Sequence, residues 1–292
     1  TRPSRDARDP SYAHADSQQA ADRENQARVR SNRRRVHLLL MTSAAAPSLA
    51  LGAVAGVVVA VFATAVAGAP VAAGVTVVVA ALLVVALAHR SLVAALSVIG
   101  GRVLPDGEQP ALANMVEGIC ATVGVERPEL WLVEDPVPNA CTLAASDGRC
   151  VLVVTSGLLA SLGTIELEGV VAHELAHVKR YDAAVSAVAI ATAGVLARMT
   201  GNDQLVHRAV GLGREYEADR VAVLAVRYPP GLHDALQRIR TAVHPSEDSV
   251  FAGGRWSATR WVWIDPMVGE REVAPIGELD ATDVRMAALA EW

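Results

Sequence analysis

The sequence predicts an α+β protein, mostly helical with a small β-sheet, in which an amino-terminal transmembrane helical hairpin precedes a folded domain. Three observations predict it. Hydrophobic residues make up 52% of the chain and aromatic residues only 4%, a balance that suits membrane helices better than a large aromatic core. Two apolar runs without a charged residue stand early in the chain, at 49–67 and 71–88. Beyond residue 100, helical periodicity alternates with short strand-like runs set off by Gly, Pro and Asp.

Taken in order, residues 1–35 hold nine Arg against five Asp and Glu and no long apolar run. They read as a polar basic tail, disordered or, over Asp22 to Arg35, loosely helical. Residues 36–99 read as the transmembrane hairpin and a juxtamembrane helix. Each apolar run is about long enough for a bilayer, which takes roughly 20 helical residues, and Gly68-Ala69-Pro70 between them reads as a tight turn. Arg33, Arg34 and Arg35 stand before the first span, Arg90 and Arg102 after the second, and the connection is uncharged. The positive-inside rule then puts both ends in the cytoplasm, giving a multi-pass protein of the cell (inner) membrane with its folded domain on the cytoplasmic side.

Gly100-Gly101 and Pro105-Asp106-Gly107 open the domain at 100–292. Glu108 to Gly124 has helical spacing, with Leu112, Met115, Val116, Ile119 and Cys120 on one side. Glu129 to Glu134 reads as a strand. Asn139–Ala145 and Cys150–Thr155 read as a hairpin turning at Asp147-Gly148, in a register that sets Cys150 opposite Ala145 and Cys141 opposite Val154. Three cysteines without a pairing pattern fit a reducing compartment. Gly157 to Leu162 reads as a short helix, and Thr164 as the N-cap of the next. Residues 183–199 are apolar apart from Arg198 and suit either a buried or a membrane-embedded helix. From Arg102 onward, 16 Lys and Arg face 26 Asp and Glu, an acidic balance that argues against nucleic acid as a partner.

Chemistry concentrates in one helix. Val170-Val171-Ala172-His173-Glu174-Leu175-Ala176-His177 places two histidines four residues apart in an apolar run. Four residues turn a helix through little more than a full circle, so both imidazoles leave one face and can share a zinc ion. Glu174 stands where its carboxylate can reach a metal-bound water as general base. A zinc hydrolase needs a third protein ligand. Glu215 lies 38 residues beyond His177 and shares a helix face with Asp219 four residues on. Glu215 would complete a His-His-Glu set, Glu217 is its rival, and Asp219 could accept the outer N–H of a ligand histidine. His207, Tyr216 and Arg285 are candidates to stabilise a developing oxyanion.

With these residues in place, the chain resembles the HtpX-like and type I CAAX prenyl protease family of membrane zinc metallopeptidases, the gluzincins. The resemblance rests on His173-Glu174-Leu175-Ala176-His177 with Glu215-x-x-x-Asp219, on Pro138-Asn139-Ala140-Cys141, on Ser156-Gly157-Leu158-Leu159, and on Ala281 to Leu289. It implies a gluzincin-type metallopeptidase domain over 100–292, one zinc on His173, His177 and Glu215, Glu174 as base and Asp219 behind a ligand. It also implies that a polypeptide substrate docks as an added strand along Asn139, Ala140 and Cys141. Cys141 stands where the family usually has an aromatic residue. Trp256, Trp261 and Trp263 fall in a stretch matching nothing in the family and read as core rather than as a belt at the bilayer surface.

The function expected is that of a membrane-anchored zinc endopeptidase acting on membrane proteins in quality control. Two alternatives stand beside it: a sensor-type protease with one specific protein substrate, and a non-catalytic zinc-binding membrane scaffold. An acid next to an open coordination position weighs against the scaffold.

Overall fold

The computed structural model describes residues 20, 22–45, 65–241, 245–266 and 280–292. Residues 22–45 form helix α1, so of the two forms expected for the tail over Asp22 to Arg35 it is the helical one that is seen, and the helix runs on to residue 45. The expected first span, 49–67, lies almost wholly outside the described residues. Ala65–Ile99 forms α2, and the expected turn at Gly68-Ala69-Pro70 falls inside it. Pro70 lies in the second turn of α2, where its missing N–H removes one helical hydrogen bond and the apolar run carries the helix on.

Helix α2 bends by 53° between its segments Ala72–Leu87 and His89–Ile99. Its second half packs inward through Leu92, Ala95, Leu96 and Ile99, while Val77, Val78, Leu82 and Val85 in its first half are exposed. Among the described residues no single helix is long and apolar enough to cross a membrane. Two bent pairs pass by length and composition: the two halves of α2, and α6 (Asp182–Ala191) with α7 (Ala193–Thr200), which meet at 51°. Residues 183–199 are therefore not one helix. Helix α6 is buried from Asp182 to Ile190, whereas Val195, Leu196 and Met199 of α7 are exposed.

A four-stranded sheet organises the domain: β1 (Arg102–Val103), β2 (Glu129–Val133), β3 (Ala140–Ala144) and β4 (Cys150–Thr155), in the order β1-β2-β4-β3. Strand β4 runs parallel to β2 and antiparallel to β3. Helix α3 (Pro110–Val123) bridges β1 and β2 in the chain and ends on Gly124 in the left-handed conformation. Its Leu112, Val116, Ile119 and Cys120 are buried, as the periodicity predicts.

The β3–β4 register differs by one residue from that expected. Ala144 pairs with Cys150 and Cys141 with Val153. Ala145 N–H donates to the Arg149 carbonyl, so the loop is the three residues Ser146-Asp147-Gly148, with Gly148 at φ +99°. A three-residue hairpin ending on a left-handed glycine adds one residue to the two-residue turn and shifts every pair. The cysteines are buried and none forms a disulfide.

Helix α4 (Ser156–Ser161) is capped by Thr155, whose hydroxyl accepts from Leu158 N–H. Helix α5 (Thr164–Lys179) begins after Gly163, not after Thr164; the Glu166 carboxylate accepts the Gly163 N–H at 2.6 Å and performs the capping expected of the threonine. Val170, Val171, Ala172, Leu175 and Ala176 are buried, and burying each valine or leucine contributes about 1.5–3 kcal/mol. Helices α3, α9 (Arg214–Val226) and α10 (Pro229–Arg240) and strand β3 all pack on α5. Gly169 is the point of closest approach to α10: a Cβ there would lie 2.8 Å from the Leu232 backbone nitrogen.

The fold is completed by α8 (Gln204–Val210), α11 (Gly253–Thr259), a 3-10 turn at Arg260–Val262 and α12 (Thr282–Glu291). Trp263 is buried, and both it and Trp256 meet Phe251 edge-on, while Trp261 stacks on His207. The tryptophan-rich stretch is core packing in this structure.

Candidate metal centre

Helix α5 carries His173 and His177 on one face with their ring centroids 4.8 Å apart. Helix α9 crosses that face and brings in Glu215. Its Oε2 lies 3.0 Å from His173 Nε2 and 3.4 Å from His177 Nε2, and the two Nε2 atoms are 3.2 Å apart. Among the described residues this is the group of three whose donor atoms converge enough to hold one metal ion. Two imidazole nitrogens and a carboxylate oxygen aimed at one point form the donor chemistry of a zinc site, and the set fits such an ion. Glu217, the rival for Glu215, is half-buried and turned to Arg220 and Arg180 instead.

The surroundings hold each group in place. His173 Nδ1 is 2.7 Å from Asp219 Oδ1, the contact expected of Asp219. Arg285 on α12 grips that carboxylate twice, with Nε 2.7 Å from Oδ2 and Nη2 2.8 Å from Oδ1, and its Nη1 donates to the Ile264 carbonyl. Burial raises the Asp219 pKa, but the charge and hydrogen bonds of Arg285, together with those of His173, outweigh it and hold the carboxyl below its usual range. Glu215 follows the same pattern more strongly. Burial opposes its ionisation, and Arg214, whose Nε is 2.8 Å from Oε1, then His177, pull it well below the carboxylate range. His177 resists burial in turn: the Glu215 charge and the Asp182 hydrogen bond carry it up to about 9.

Four contributors were not read from the sequence. Asp182, the first residue of α6, lies 3.4 Å from His177 Nδ1. Thr142 donates its hydroxyl to Glu174 Oε2 at 2.8 Å, reaching across from the sheet. Arg214 balances Glu215 and donates to the Ser186 hydroxyl. Asp280 accepts the backbone N–H groups of Gly213 and Glu215 at 2.6 and 2.9 Å, capping the start of α9 from a distant part of the chain.

Of the oxyanion candidates, Arg285 directs its guanidinium at Asp219 and Ile264 and lies 3.7 Å from Glu215. His207 borders a small cavity that Glu215 also lines. Tyr216 faces Trp292. Along the expected docking strand, β3 is at the sheet edge, but Ala140 O already accepts from Ile264 N–H and the Asn139 amide donates to the Asp265 carbonyl. Cys141 is buried among Leu143, Ala187 and Ile190.

A family model described as peptidase family M48 matches residues 106–260. The chain belongs to that family. Proteins described as protease HtpX homologs are similar over about half of this chain. That of Dictyoglomus turgidum is 32% identical over 171 residues, covering 47% of this chain and 56% of its own. That of Tropheryma whipplei is 33% identical over 179 residues, covering 50% and 62%. The similar protein of Listeria monocytogenes is 31% identical over 177 residues, covering 45% and 58%. The matched stretches therefore span little more than half the length of these relatives.

Proposed function

We propose that this M48 chain is a membrane-associated zinc endopeptidase that hydrolyses peptide bonds in membrane proteins. The observation that carries the reading is the buried His173/His177/Glu215 group with an acid, Glu174, beside it on the same helix. In this reading His173 and His177 through Nε2, and Glu215 through Oε2, hold the ion. When bound, zinc supplies Lewis acidity to water and to the scissile carbonyl. Glu174 takes the proton of the attacking water as the C–O bond forms and returns it to the amine as the C–N bond breaks. Thr142 holds one oxygen of that carboxylate and so fixes the direction in which it receives the proton. Asp219 keeps the His173 proton on Nδ1, leaving Nε2 as the donor.

The membrane part of the reading is supported by the apolar exposed face of α2, by the charge pattern around it and by the likeness to HtpX homologs. Quality control of membrane proteins is the role proposed. The burial of the centre favours, as a second reading, a selective protease that a specific substrate must open: His173 is 0% and Glu174 1% exposed.

The test is zinc content and casein cleavage on detergent-purified parent and Glu174→Gln proteins. One zinc in each, with cleavage only in the parent, is expected. Equal cleavage by both would refute the mechanism, and absence of zinc from both would refute the ligand set.

A further inference from the structure

Behind His173 stands a carboxylate, and behind that carboxylate an arginine. Behind His177 the same sequence of supports leads somewhere else. Tyr181 takes a left-handed conformation, φ +65°, that turns the chain sharply after α5. The turn returns Asp182 to a position 3.4 Å below His177 Nδ1 through Oδ2. The other oxygen of Asp182 accepts from the side-chain amide of Asn32 at 2.6 Å, 150 residues earlier on α1. The same amide donates to the Arg180 carbonyl at 2.9 Å, and Arg33 sits over the Tyr181 ring. Asn32, His177 and Asp182 are all buried. A buried asparagine spending its amide nitrogen on both ends of one turn is tied to that turn's position, since an apolar residue there would take the short hydrogen bond from the Arg180 carbonyl and leave Asp182 Oδ1 only the longer approach of Arg28 at 3.7 Å.

We infer that α1 is part of the metal centre: Asn32 is a positioning residue that holds Asp182 against His177 and so sets how firmly the His173/His177/Glu215 group keeps its ion. This rests on the zinc reading above. Residues behind a ligand histidine typically change metal affinity 10–100-fold when removed, because they fix the tautomer and the ring orientation. Asn32 acts one step further out, through Asp182, so its removal costs less than removal of Asp182. The helix that precedes α2 thereby has a hold on the ion that runs through Asp182 and His177.

The experiment measures zinc affinity of the full chain in detergent by competition with a chromogenic chelator. The variants are Asp182→Asn, Asn32→Ala, the double variant and Leu40→Ala, with thermal unfolding of each chelator-treated protein alongside. Leu40 stands eight residues beyond Asn32 on α1 and is buried in a cluster with Ala184, Val185 and Val188 of α6, so its truncation loosens the packing of the helix while the polar groups of the relay are kept. Expected are affinity losses of about 10–100-fold for Asp182→Asn and about 3–10-fold for Asn32→Ala, with the double variant no weaker than Asp182→Asn alone. Leu40→Ala lowers the unfolding temperature and leaves affinity within about twofold. Asn32→Leu, which keeps the volume, replaces Asn32→Ala should the latter fail to fold. Parent-like affinity in the Asn32 variants, additive losses in the double variant, or an equal loss in Leu40→Ala would overturn the inference while leaving the zinc reading intact. A parent that binds no zinc would overturn both.

Discussion

The two histidines of the centre are supported unequally. His173 leans on Asp219 at 2.7 Å, and Asp219 is clamped by two nitrogens of Arg285, so its supports come from α9 and α12 inside the domain. His177 leans on Asp182 at 3.4 Å, and Asp182 takes its closest hold from the Asn32 amide of α1 at 2.6 Å, with Arg28 and Arg180 farther off at 3.7 and 3.6 Å. One half of the centre is built into the domain by a close two-point grip of one guanidinium on one carboxylate. The other is tied to the segment that leads into the apolar helix. The difference shows that a motif symmetric in sequence, His-x-x-x-His, need not be symmetric in its mechanics.

The largest effect expected on that comparison comes from Arg285→Met. It strands the Asp219 carboxylate in a buried site, and breaking such a pair typically costs about 3–5 kcal/mol. Denaturant unfolding of the zinc-loaded protein checks it, and a loss under about 1 kcal/mol would mean that Asp219 is supported some other way. Next comes pH, acting on the His177 side. A folded pKa of about 9 against an ordinary 6.5 means that protonated His177 stabilises the chelator-treated protein below pH 6.5. That stability is lost as pH rises through about 9, and is on the order of 3 kcal/mol. The unfolding temperature of chelator-treated protein should therefore fall between pH 6.5 and 9 beyond any fall in a His177→Gln variant, and equal slopes would show that His177 is not the group titrating.

Asp219→Asn should lower zinc affinity by about 10–100-fold, since the amide is a weaker acceptor for the His173 N–H. Chelator competition measures it, and a loss smaller than that of Asp182→Asn would reverse the ranking of the two supports. Smallest is Tyr181→Gly. Glycine relieves a left-handed strain of roughly 1–2 kcal/mol but gives up the Arg33 contact, of about 0.5–1 kcal/mol, and adds freedom to the unfolded chain. The net change in stability should stay within about 1 kcal/mol, and a larger loss would show that the ring, not the backbone turn, anchors α1.

Much of the centre was legible because helical spacing is a short-range rule. His173, Glu174 and His177 announce themselves within five residues, and Glu215 with Asp219 within five more. The strands and α3 were legible for the same reason. What escaped the sequence depends on long-range placement or on a single torsion. Nothing at Tyr181 signals a left-handed turn, since glycine is the usual residue there, so Asp182 reads only as the residue that follows the helix. Asn32 sits in a run of arginines that composition assigns to a tail. Asp280 caps a helix 65 positions earlier, and no local pattern marks it as a cap. The hairpin register hung on whether Gly148 closed a two- or a three-residue loop, and both carry the same Asp-Gly signal.

The cap on α9 has a consequence for the life of the chain. Asp280 and Arg285 are added by the ribosome some 65 residues after Glu215 and Asp219, the groups they secure. A growing chain that has just exposed Glu215 therefore lacks both the cap that orders the start of its helix and the guanidinium that balances its buried acid. The candidate metal centre is therefore secured only after the chain has been made through Arg285, so its histidines and acids are all synthesised before the groups that hold them in place.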